Sequence, residues 1–184
     1  MLKLYIVRHG KTLFNEKHLI QGYCDSPLTS EGIQQAKKLH YELENIPFHA
    51  CYVSPMHRAI ETATTIIQDR DIPLFINNNL KEFNFGSIEG DSEDKLKDIY
   101  PIMQGFTVDN FDGDTMQDFT KRILKGLDEI HKENKDGNIL IVTHSGVITA
   151  LLNTISNLPR KDIVHIKNCS VTQLEWNYGW KLCN

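Results

Sequence analysis

Apolar positions along the chain follow two periods. Short, mostly apolar runs with β-branched and aromatic members predict buried strands, and they cover residues 2–7, 50–53, 74–76 and 138–143. Between and after these runs, apolar side chains recur at spacings of three and four residues, which predicts amphipathic helices. The apolar faces of these helices begin at Ile33, Ala59, Phe119 and Val147. Strands that alternate with helices predict an α/β fold, a three-layer αβα sandwich whose mostly parallel central sheet carries helices on both faces.

Capping residues indicate where the helices begin. Thr29 or Ser30 is expected to cap the first helix, because a side-chain oxygen there can accept a hydrogen bond from the first turn. Ser54, followed by Pro55, is expected to start the second helix in the same way. Thr115, with an acidic residue three positions further on, is typical of the start of the third.

The carboxyl-terminal part of the chain predicts an antiparallel edge to the sheet. Residues 163–166 and 171–176 alternate between apolar and polar side chains, as half-buried strands do. The turn residues Asn177-Tyr178-Gly179 then predict a terminal hairpin.

Composition narrows the class of protein. The 184 residues are 40% hydrophobic and 24% charged, which is typical of a globular protein and predicts a single domain over residues 1–184. A net charge of −4 argues against nucleic acid or an anionic membrane as the partner. No apolar run approaches the length of a membrane span, and we expect no signal peptide because the first residues lack its apolar region. The four cysteines include no Cys-x-x-Cys pair, which favours reduced thiols over two disulfides. We therefore expect a cytoplasmic protein, whose oligomeric state the pattern leaves open.

Chemically active side chains follow three of the predicted strands. Arg8-His9-Gly10 follows the first strand, Arg58 lies just beyond the second, and His144 follows the fourth. Right-handed crossovers put the carboxyl ends of parallel strands at one edge of the sheet, where ligands bind in α/β folds. Two arginines and two histidines would repel one another there unless an anion lay between them, and arginine forks suit a phosphoryl group. The three strand ends together predict a phosphoryl-binding site.

Glu82 is a candidate proton donor. It lies in residues 80–90, a non-periodic stretch with two phenylalanines and two glycines that predicts a packed loop. Beside aromatic surface its pKa would rise, so that it could carry a proton to a leaving group. The alternative from the residues alone is a solvated glutamate.

Motifs in order along nearly the whole chain resemble those of the histidine phosphatase (phosphoglycerate mutase-like) superfamily. They read Arg8-His9-Gly10-x-Thr12-x-x-Asn15, Gln21-Gly22, Asp25-x-Pro27-Leu28-Thr29, Ser54-Pro55-x-x-Arg58-Ala59, Glu82-x-x-Phe85-Gly86-x-x-Glu89-Gly90 and Val142-Thr143-His144. The resemblance implies phosphoryl transfer on a small phosphorylated metabolite. It also implies that no metal or other cofactor is needed, since the arginines take the part of Mg²⁺.

The resemblance also implies roles for the matching residues. His9 would be the nucleophile that forms a phosphohistidine, and neighbouring cations would keep it neutral by lowering its pKa. Glu82 would protonate the leaving oxygen and then take a proton from the attacking water. The side chains expected to hold the phosphoryl oxygens are Arg8, Arg58, His144 and Asn15. The further positions expected to bind substrate are Thr12, Gln21, Gly22 and Ser145.

Within the superfamily we expect a phosphatase. Mutases usually carry a long insertion that encloses a bisphosphate, whereas here only a modest lid-like insertion, about residues 91–113, is expected. A phosphoglycerate mutase is the first alternative, and a non-catalytic domain that binds a phosphorylated ligand is the second. Residues 91–118 carry eight acids and two lysines. As a lid, this acidic segment would disfavour bisphosphates, and the alternative is an ordinary solvated face.

Overall fold

A six-stranded mixed sheet forms the centre of the residues that the computed structural model describes, 1–97, 112–156 and 166–183. Its strands are β1 (Leu2–Arg8), β2 (Phe48–Val53), β3 (Leu74–Ile76), β4 (Gly137–Thr143), β5 (Val171–Trp176) and β6 (Trp180–Leu182). Their spatial order is β3-β2-β4-β1-β5-β6. The strands β1 to β4 pair in parallel, while β5 and β6 pair antiparallel. The predicted mostly parallel sheet with an antiparallel terminal hairpin is confirmed.

Helices cover both faces of this sheet. They are α1 (Leu13–Glu16), α2 (Ser30–Glu42), α3 (His57–Ile66), α4 (Met116–Glu133) and α5 (Ser145–Ser156). Successive side chains of a strand point to opposite faces, so Tyr5 and Val7 of β1 pack with α2 and α3, whereas Leu4 and Ile6 pack with α4 and α5. Because both faces of the sheet are apolar and covered, the predicted three-layer αβα sandwich is confirmed.

Two of the predicted helix caps are present. The Thr29 hydroxyl accepts a hydrogen bond from the Gly32 backbone N–H at 3.0 Å, at the start of α2. The Thr115 hydroxyl accepts one from the Asp118 N–H at 3.1 Å, at the start of α4. Both helices therefore begin where local sequence alone predicts.

The start of α3 differs from the prediction. The helix begins at His57, and the N-cap residue Met56 makes no side-chain capping bond. Ser54 is engaged elsewhere, because its backbone N–H donates to the Val142 carbonyl at 3.0 Å and its hydroxyl lies 2.7 Å from His144 Nε2. A carboxylate oxygen of Asp25, brought in by a distant loop, instead accepts the His57 N–H.

The segment between β3 and α4 contains short 3₁₀ turns within its described part, Asn78–Leu80, Gly86–Ile88 and Glu93–Lys95. Of the helix predicted near residues 92–99, the described part shows the last of these turns followed by two helical residues, and residues 98 and 99 lie outside it. Residues 98–111, which hold most of the expected lid, and 163–165 of a predicted strand lie outside the described residues, while Ile166 is not in a strand. The single-domain and lid predictions thus stay predictions. All four cysteines are free thiols in the structure.

Candidate active site

The carboxyl ends of β1, β2 and β4 lie side by side and carry the predicted cluster. In the register of the sheet, Arg8 pairs with Thr143, and the His9 N–H donates to the Thr143 carbonyl at 2.9 Å. The rings of His9 and His144 consequently approach with their centroids 5.2 Å apart. Parallel pairing therefore brings together side chains that lie about 135 positions apart in the sequence.

His9 is buried in a form suited to nucleophilic attack. Its Nδ1 lies 2.8 Å from the Gly10 carbonyl oxygen, so Nδ1 carries the proton and Nε2 keeps its lone pair. Burial, followed by the positive charges of Arg58 and Arg8, lowers the pKa of His9 well below its usual value. The shift favours the neutral imidazole, which is the form that can attack as a nucleophile.

Arg58 is completely buried and is held by the loop of residues 22–25. Its Nη1 donates to the Cys24 carbonyl and to Asp25 Oδ1, both at 2.9 Å, and its Nη2 donates to the Gly22 carbonyl at 2.7 Å. Three acceptors placed around two of its nitrogens fix the plane of a guanidinium group. The loop thus determines how Arg58 faces His9.

Three nitrogens of the cluster are buried and have no hydrogen-bond partner among the described residues. They are Arg8 Nε, Arg58 Nε and His144 Nδ1. Buried polar groups are nearly always hydrogen-bonded, so a cluster of partnerless nitrogens indicates a site for a bound acceptor. Burial and the charge of Arg58 also lower the pKa of His144 well below its usual value. Neutral His144 can therefore carry its proton on Nδ1 while Nε2 accepts from the Ser54 hydroxyl at 2.7 Å.

Glu82 lies opposite this cluster, buried and held by backbone groups. Its Oε1 accepts the Phe83 N–H at 2.9 Å and its Oε2 accepts the Gly146 N–H at 3.0 Å. Burial raises the pKa of Glu82 above its usual value, although the two N–H groups and the charges of Arg58 and Arg8 act in the opposite direction. A carboxyl group with a raised pKa can hold a proton near neutral pH and release it to a reacting atom.

A cavity of about 220 Å³ connects these groups to the surface. The predicted residues in its lining are Arg8, His9, Asn15, Gln21, Glu82 and Ser145. Arg58 and His144 are outside the lining, although the charge of Arg58 acts on His9 and lowers its pKa. The structure therefore brings together the two halves of the predicted site, one around His9 and one around Glu82.

Thr12 and Gly22 lie outside the lining and support residues that form it. The buried Thr12 hydroxyl donates to Gln21 Oε1 at 2.8 Å and accepts the Asn15 N–H at 3.2 Å, so it positions two lining side chains. Gly22 offers its carbonyl to Arg58, and a Cβ there would lie 2.2 Å from Glu89 Oε1. Only glycine fits this close approach.

Sequence reasoning assigned no role to several supporting side chains. Glu89 accepts the N–H groups of Tyr23 at 2.7 Å and Phe85 at 3.0 Å, and so ties the loop of residues 22–25 to the loop that bears Glu82. Arg122 of α4 donates to the Lys81 carbonyl at 2.8 Å and the Glu82 carbonyl at 3.0 Å. Glu89 and Asp25 belong to the motifs quoted above, which was a usable signal. Arg122 carries no such signal in the sequence.

Two described acids of the acidic segment support the loop that bears Glu82. Asp112 accepts the Ser87 N–H at 2.8 Å, and Asp114 pairs with Arg122 at 3.0 Å, so both brace the Glu82 loop and neither lines the cavity. Asp109 lies outside the described residues. Among the described acids of this segment, Glu93 lines the cavity.

Residues 1–97, 112–156 and 166–183 contain neither a candidate metal site nor a helix that could cross a membrane. Within them, no group of three histidine, cysteine or acidic side chains could hold a metal ion. None of the helices in these ranges is long and apolar enough to cross a membrane.

Comparison with known proteins identifies the family. The sequence profile of the histidine phosphatase superfamily (branch 1) matches residues 4–183, and the chain belongs to this superfamily. It is 31% identical to the adenosylcobalamin/alpha-ribazole phosphatase of Salmonella typhimurium, over 90% of this chain and 85% of the relative. The comparisons confirm the predicted family and the predicted class of enzyme, a phosphomonoester hydrolase.

Solved structures agree with this placement. Phosphoserine phosphatase from Entamoeba histolytica, in complex with 3-phosphoglyceric acid, superposes with a TM-score of 0.83 at 27% identity, over 100% of this chain and 96% of its own. Phosphoglycerate mutase from Bacillus anthracis superposes with a TM-score of 0.86 at 29% identity, over 98% and 91% of the two chains. Both likenesses extend over the whole α/β sandwich.

Proposed function

We propose that this protein hydrolyses small phosphomonoesters in two steps through a phosphohistidine at His9. The observation that carries the proposal is the buried cluster in which three partnerless nitrogens accompany a neutral histidine. Such a cluster provides donors for an oxyanion and a lone pair for attack on phosphorus. The arginines supply the positive charge that metal ions supply to other phosphoryl-transfer enzymes.

In the first step, His9 Nε2 attacks phosphorus while the bond between phosphorus and the alcohol oxygen breaks. Arg8, Arg58 and His144 donate hydrogen bonds to the phosphoryl oxygens, whose negative charge spreads over all three oxygens in the transition state. Glu82, with its raised pKa, gives its proton to the departing alcohol oxygen. The products of this step are the free alcohol, the Glu82 carboxylate and a phosphorylated His9.

In the second step, water attacks the phosphohistidine. The Glu82 carboxylate takes a proton from that water, the bond between phosphorus and Nε2 breaks, and inorganic phosphate and neutral His9 are regenerated. One carboxyl group thus serves first as acid and then as base, which requires that it reach both the leaving oxygen and the attacking water. Its two backbone hydrogen bonds, to Phe83 and Gly146, support such a fixed position.

The lining favours hydrolysis over mutase chemistry and over mere binding. A mutase must hold a bisphosphate, and Arg8 is the one arginine or lysine among the described residues that line the cavity. A non-catalytic binding domain has no need for both a neutral buried histidine and a carboxyl of raised pKa. We place Asn15, Gln21 and Ser145 against the substrate, with Thr12 and Gly22 as their support.

We propose further that residues 1–184 act as one domain with residues 91–113 as its lid, in the cytoplasm and on a small metabolite rather than a nucleic acid. The free state of all four cysteines supports a reducing compartment. The net charge of −4 supports the exclusion of a polyanionic partner.

The test measures release of inorganic phosphate from a panel of small phosphomonoesters in the presence of a chelator. Wild type, His9→Ala and His57→Ala are compared, since the side chain of His57 is 74% exposed and provides a matched control. We expect turnover in wild type and in His57→Ala, and loss of turnover in His9→Ala. Equal release by wild type and His9→Ala would contradict the role of His9, and no release from any ester would contradict a phosphatase.

The intermediate is tested separately. An alkaline quench during turnover preserves phosphohistidine, and mass spectrometry of peptides then locates the added phosphoryl group. We expect it on the peptide that contains His9 in wild type. Glu82→Gln should accumulate the modified peptide when the leaving alcohol is acidic, because the second step then lacks its base.

A further inference from the structure

The chemistry of the cavity changes with distance from His9. Around His9 the lining is polar, whereas the remainder is mostly apolar and includes Leu19, Ile20, Phe85, Leu96, Met116 and Ala150. These residues come from separate loops and from α4 and α5. The alcohol part of a bound ester would therefore lie against an apolar surface, which favours an apolar body.

A buried polar atom without a partner lies in this part of the cavity. Asn153 lines the cavity from α5, and its Oδ1 is buried without a hydrogen-bond partner among the described residues. A buried acceptor without a partner is unfavourable unless a ligand supplies the donor. Asn153 stands eight residues beyond Ser145 on the same helix, which is about 12 Å along the helix axis. A ligand that reaches from the phosphoryl group near Ser145 to Asn153 must therefore be longer than the phosphoryl group alone.

The charges along the cavity argue against a substrate whose alcohol part carries a carboxylate. Arg8 lies at the end of the cavity that contains His9, which we call the phosphoryl end. The described lining has no other arginine or lysine. The acids in the described lining are Glu82 and Glu93, and the charge of Glu93 acts on Arg8. A carboxylate on the ligand, as in 3-phosphoglyceric acid, would thus meet no described cation beyond Arg8 and would be repelled by Glu93.

We propose that the site takes phosphomonoesters of uncharged alcohols, whose apolar body fills the cavity and whose far end carries an N–H or O–H that donates to Asn153 Oδ1. The proposal rests on the function proposed above and names its substrate class. Asn153 is then a specificity-determining residue, because it selects for a neutral hydrogen-bond donor at the far end of the substrate.

Three matched esters test the proposal. Benzyl phosphate supplies the apolar body alone, 4-carbamoylbenzyl phosphate adds a neutral N–H donor, and 4-carboxybenzyl phosphate adds a carboxylate of the same shape. Their phosphoryl group and leaving oxygen are alike, so differences in kcat/KM report on the far end. For wild type we expect the carbamoyl ester to exceed the carboxy ester at least tenfold, because only the former pairs with the Asn153 acceptor. Equal values, or a preference for the carboxylate, would overturn the proposal.

A variant assigns the effect to the residue. Asn153→Leu keeps the side-chain volume but removes the acceptor, and Thr154→Val, on the exposed neighbouring position, is the matched control. We expect the ratio of kcat/KM for the carbamoyl ester over benzyl phosphate to fall about tenfold in Asn153→Leu. The ratio should be unchanged in Thr154→Val. An unchanged ratio in Asn153→Leu would overturn the assignment.

Binding separates this proposal from the proposed function. The corresponding benzylphosphonates cannot be hydrolysed, and their dissociation constants are measurable by calorimetry. Turnover of none of the esters, together with tighter binding of the carbamoyl phosphonate than the carboxy phosphonate, would contradict the phosphatase and support the inference. Turnover of the esters with the opposite order of binding would support the phosphatase and overturn the inference.

Discussion

The two ends of the cavity are built by different kinds of contact. At the phosphoryl end, side chains are held by directional hydrogen bonds, as when Arg58 donates to three acceptors of the loop of residues 22–25. At the far end, Met116 and Phe119 of α4 contribute surface that is held by packing against the apolar core. The first arrangement permits one geometry, whereas the second tolerates exchange of one apolar side chain for another.

The difference corresponds to what each end must do. Phosphoryl transfer needs donors and a nucleophile held to a fraction of an ångström, because misplacement lowers the rate steeply. Recognition of an apolar alcohol needs only apolar surface that becomes shielded from water, and the free energy of binding grows with the area buried. We therefore expect substitutions at the phosphoryl end to reduce turnover of every ester, and substitutions at the far end to alter only the choice among esters.

The largest effect is expected at Glu82. Glu82→Gln keeps the shape of the side chain but removes the proton donor, so kcat/KM for an alkyl phosphate should fall about 10³-fold. An ester with an acidic leaving group, such as 4-nitrophenyl phosphate, needs little protonation and should lose much less. Glu133→Gln, whose carboxylate bonds to Tyr52, is the matched control. Equal losses for both esters would show that Glu82 is not the acid.

The dependence of kcat/KM on pH tests the direction of the pKa shifts of His9 and Glu82. The first step requires neutral His9, whose pKa is lowered, and protonated Glu82, whose pKa is raised. Activity should therefore be lost as pH falls through the pKa of His9 and as pH rises through the pKa of Glu82. In Glu82→Gln the alkaline loss should disappear for the same ester, a comparison that cancels the ionisation of the substrate. Persistence of the alkaline limb in that variant would contradict the assignment.

Arg58→Lys should produce the next largest effect. Lysine keeps the positive charge, but its single nitrogen cannot bond to the three acceptors of the loop and also to the phosphoryl group. We therefore expect kcat/KM to fall about 10²-fold for every ester. Arg70→Lys is the matched control, because Arg70 also donates to backbone carbonyls, those of Leu43 and Ile46, away from the site. Comparable losses of activity in both variants would indicate general destabilisation.

Asp25→Asn should have a smaller effect on the same end of the cavity. The substitution removes the charge partner of Arg58 and weakens the bond to the His57 N–H at the start of α3. The free energy of unfolding should fall by about 1–2 kcal/mol, and kcat/KM should fall about tenfold for every ester because Arg58 is less firmly oriented. Urea unfolding and steady-state kinetics measure the two. Asp128→Asn, which breaks an exposed pair with Lys132, should change neither appreciably.

Met116→Ala at the far end should have the smallest effect. Truncating this lining side chain should lower kcat/KM about fivefold for benzyl phosphate, a loss of about 1 kcal/mol of apolar contact. Ethyl phosphate, which lacks the apolar body, should be nearly unaffected. Leu124→Ala lies on the exposed side of the same helix and serves as the control. A uniform loss for both esters would remove the distinction between the two ends.

Local sequence determined most of the helices and strands and the list of candidate site residues. Apolar runs predicted β1 to β4, alternation and turn residues predicted the hairpin of β5 and β6, and helical spacings predicted the longer helices. The caps at Thr29 and Thr115 followed from their own hydroxyls. Arg8, His9, Arg58 and His144 were placed at one sheet edge by the handedness of crossovers, before any contact was known.

Contacts distant in sequence decided the remainder. Ser54 was expected to cap α3, but its hydroxyl bonds to His144, ninety positions away, and Asp25 caps the helix from another loop. The support from Arg122 and the partnerless Asn153 oxygen likewise left no local pattern.

The sequence by itself therefore determined which side chains are candidates for the chemistry, since residue type and period are local properties. The tertiary structure alone decided which of their atoms are free to act. Each nitrogen of Arg58 is either engaged by the loop of residues 22–25 or left for a ligand, and that choice depends on how two distant segments pack.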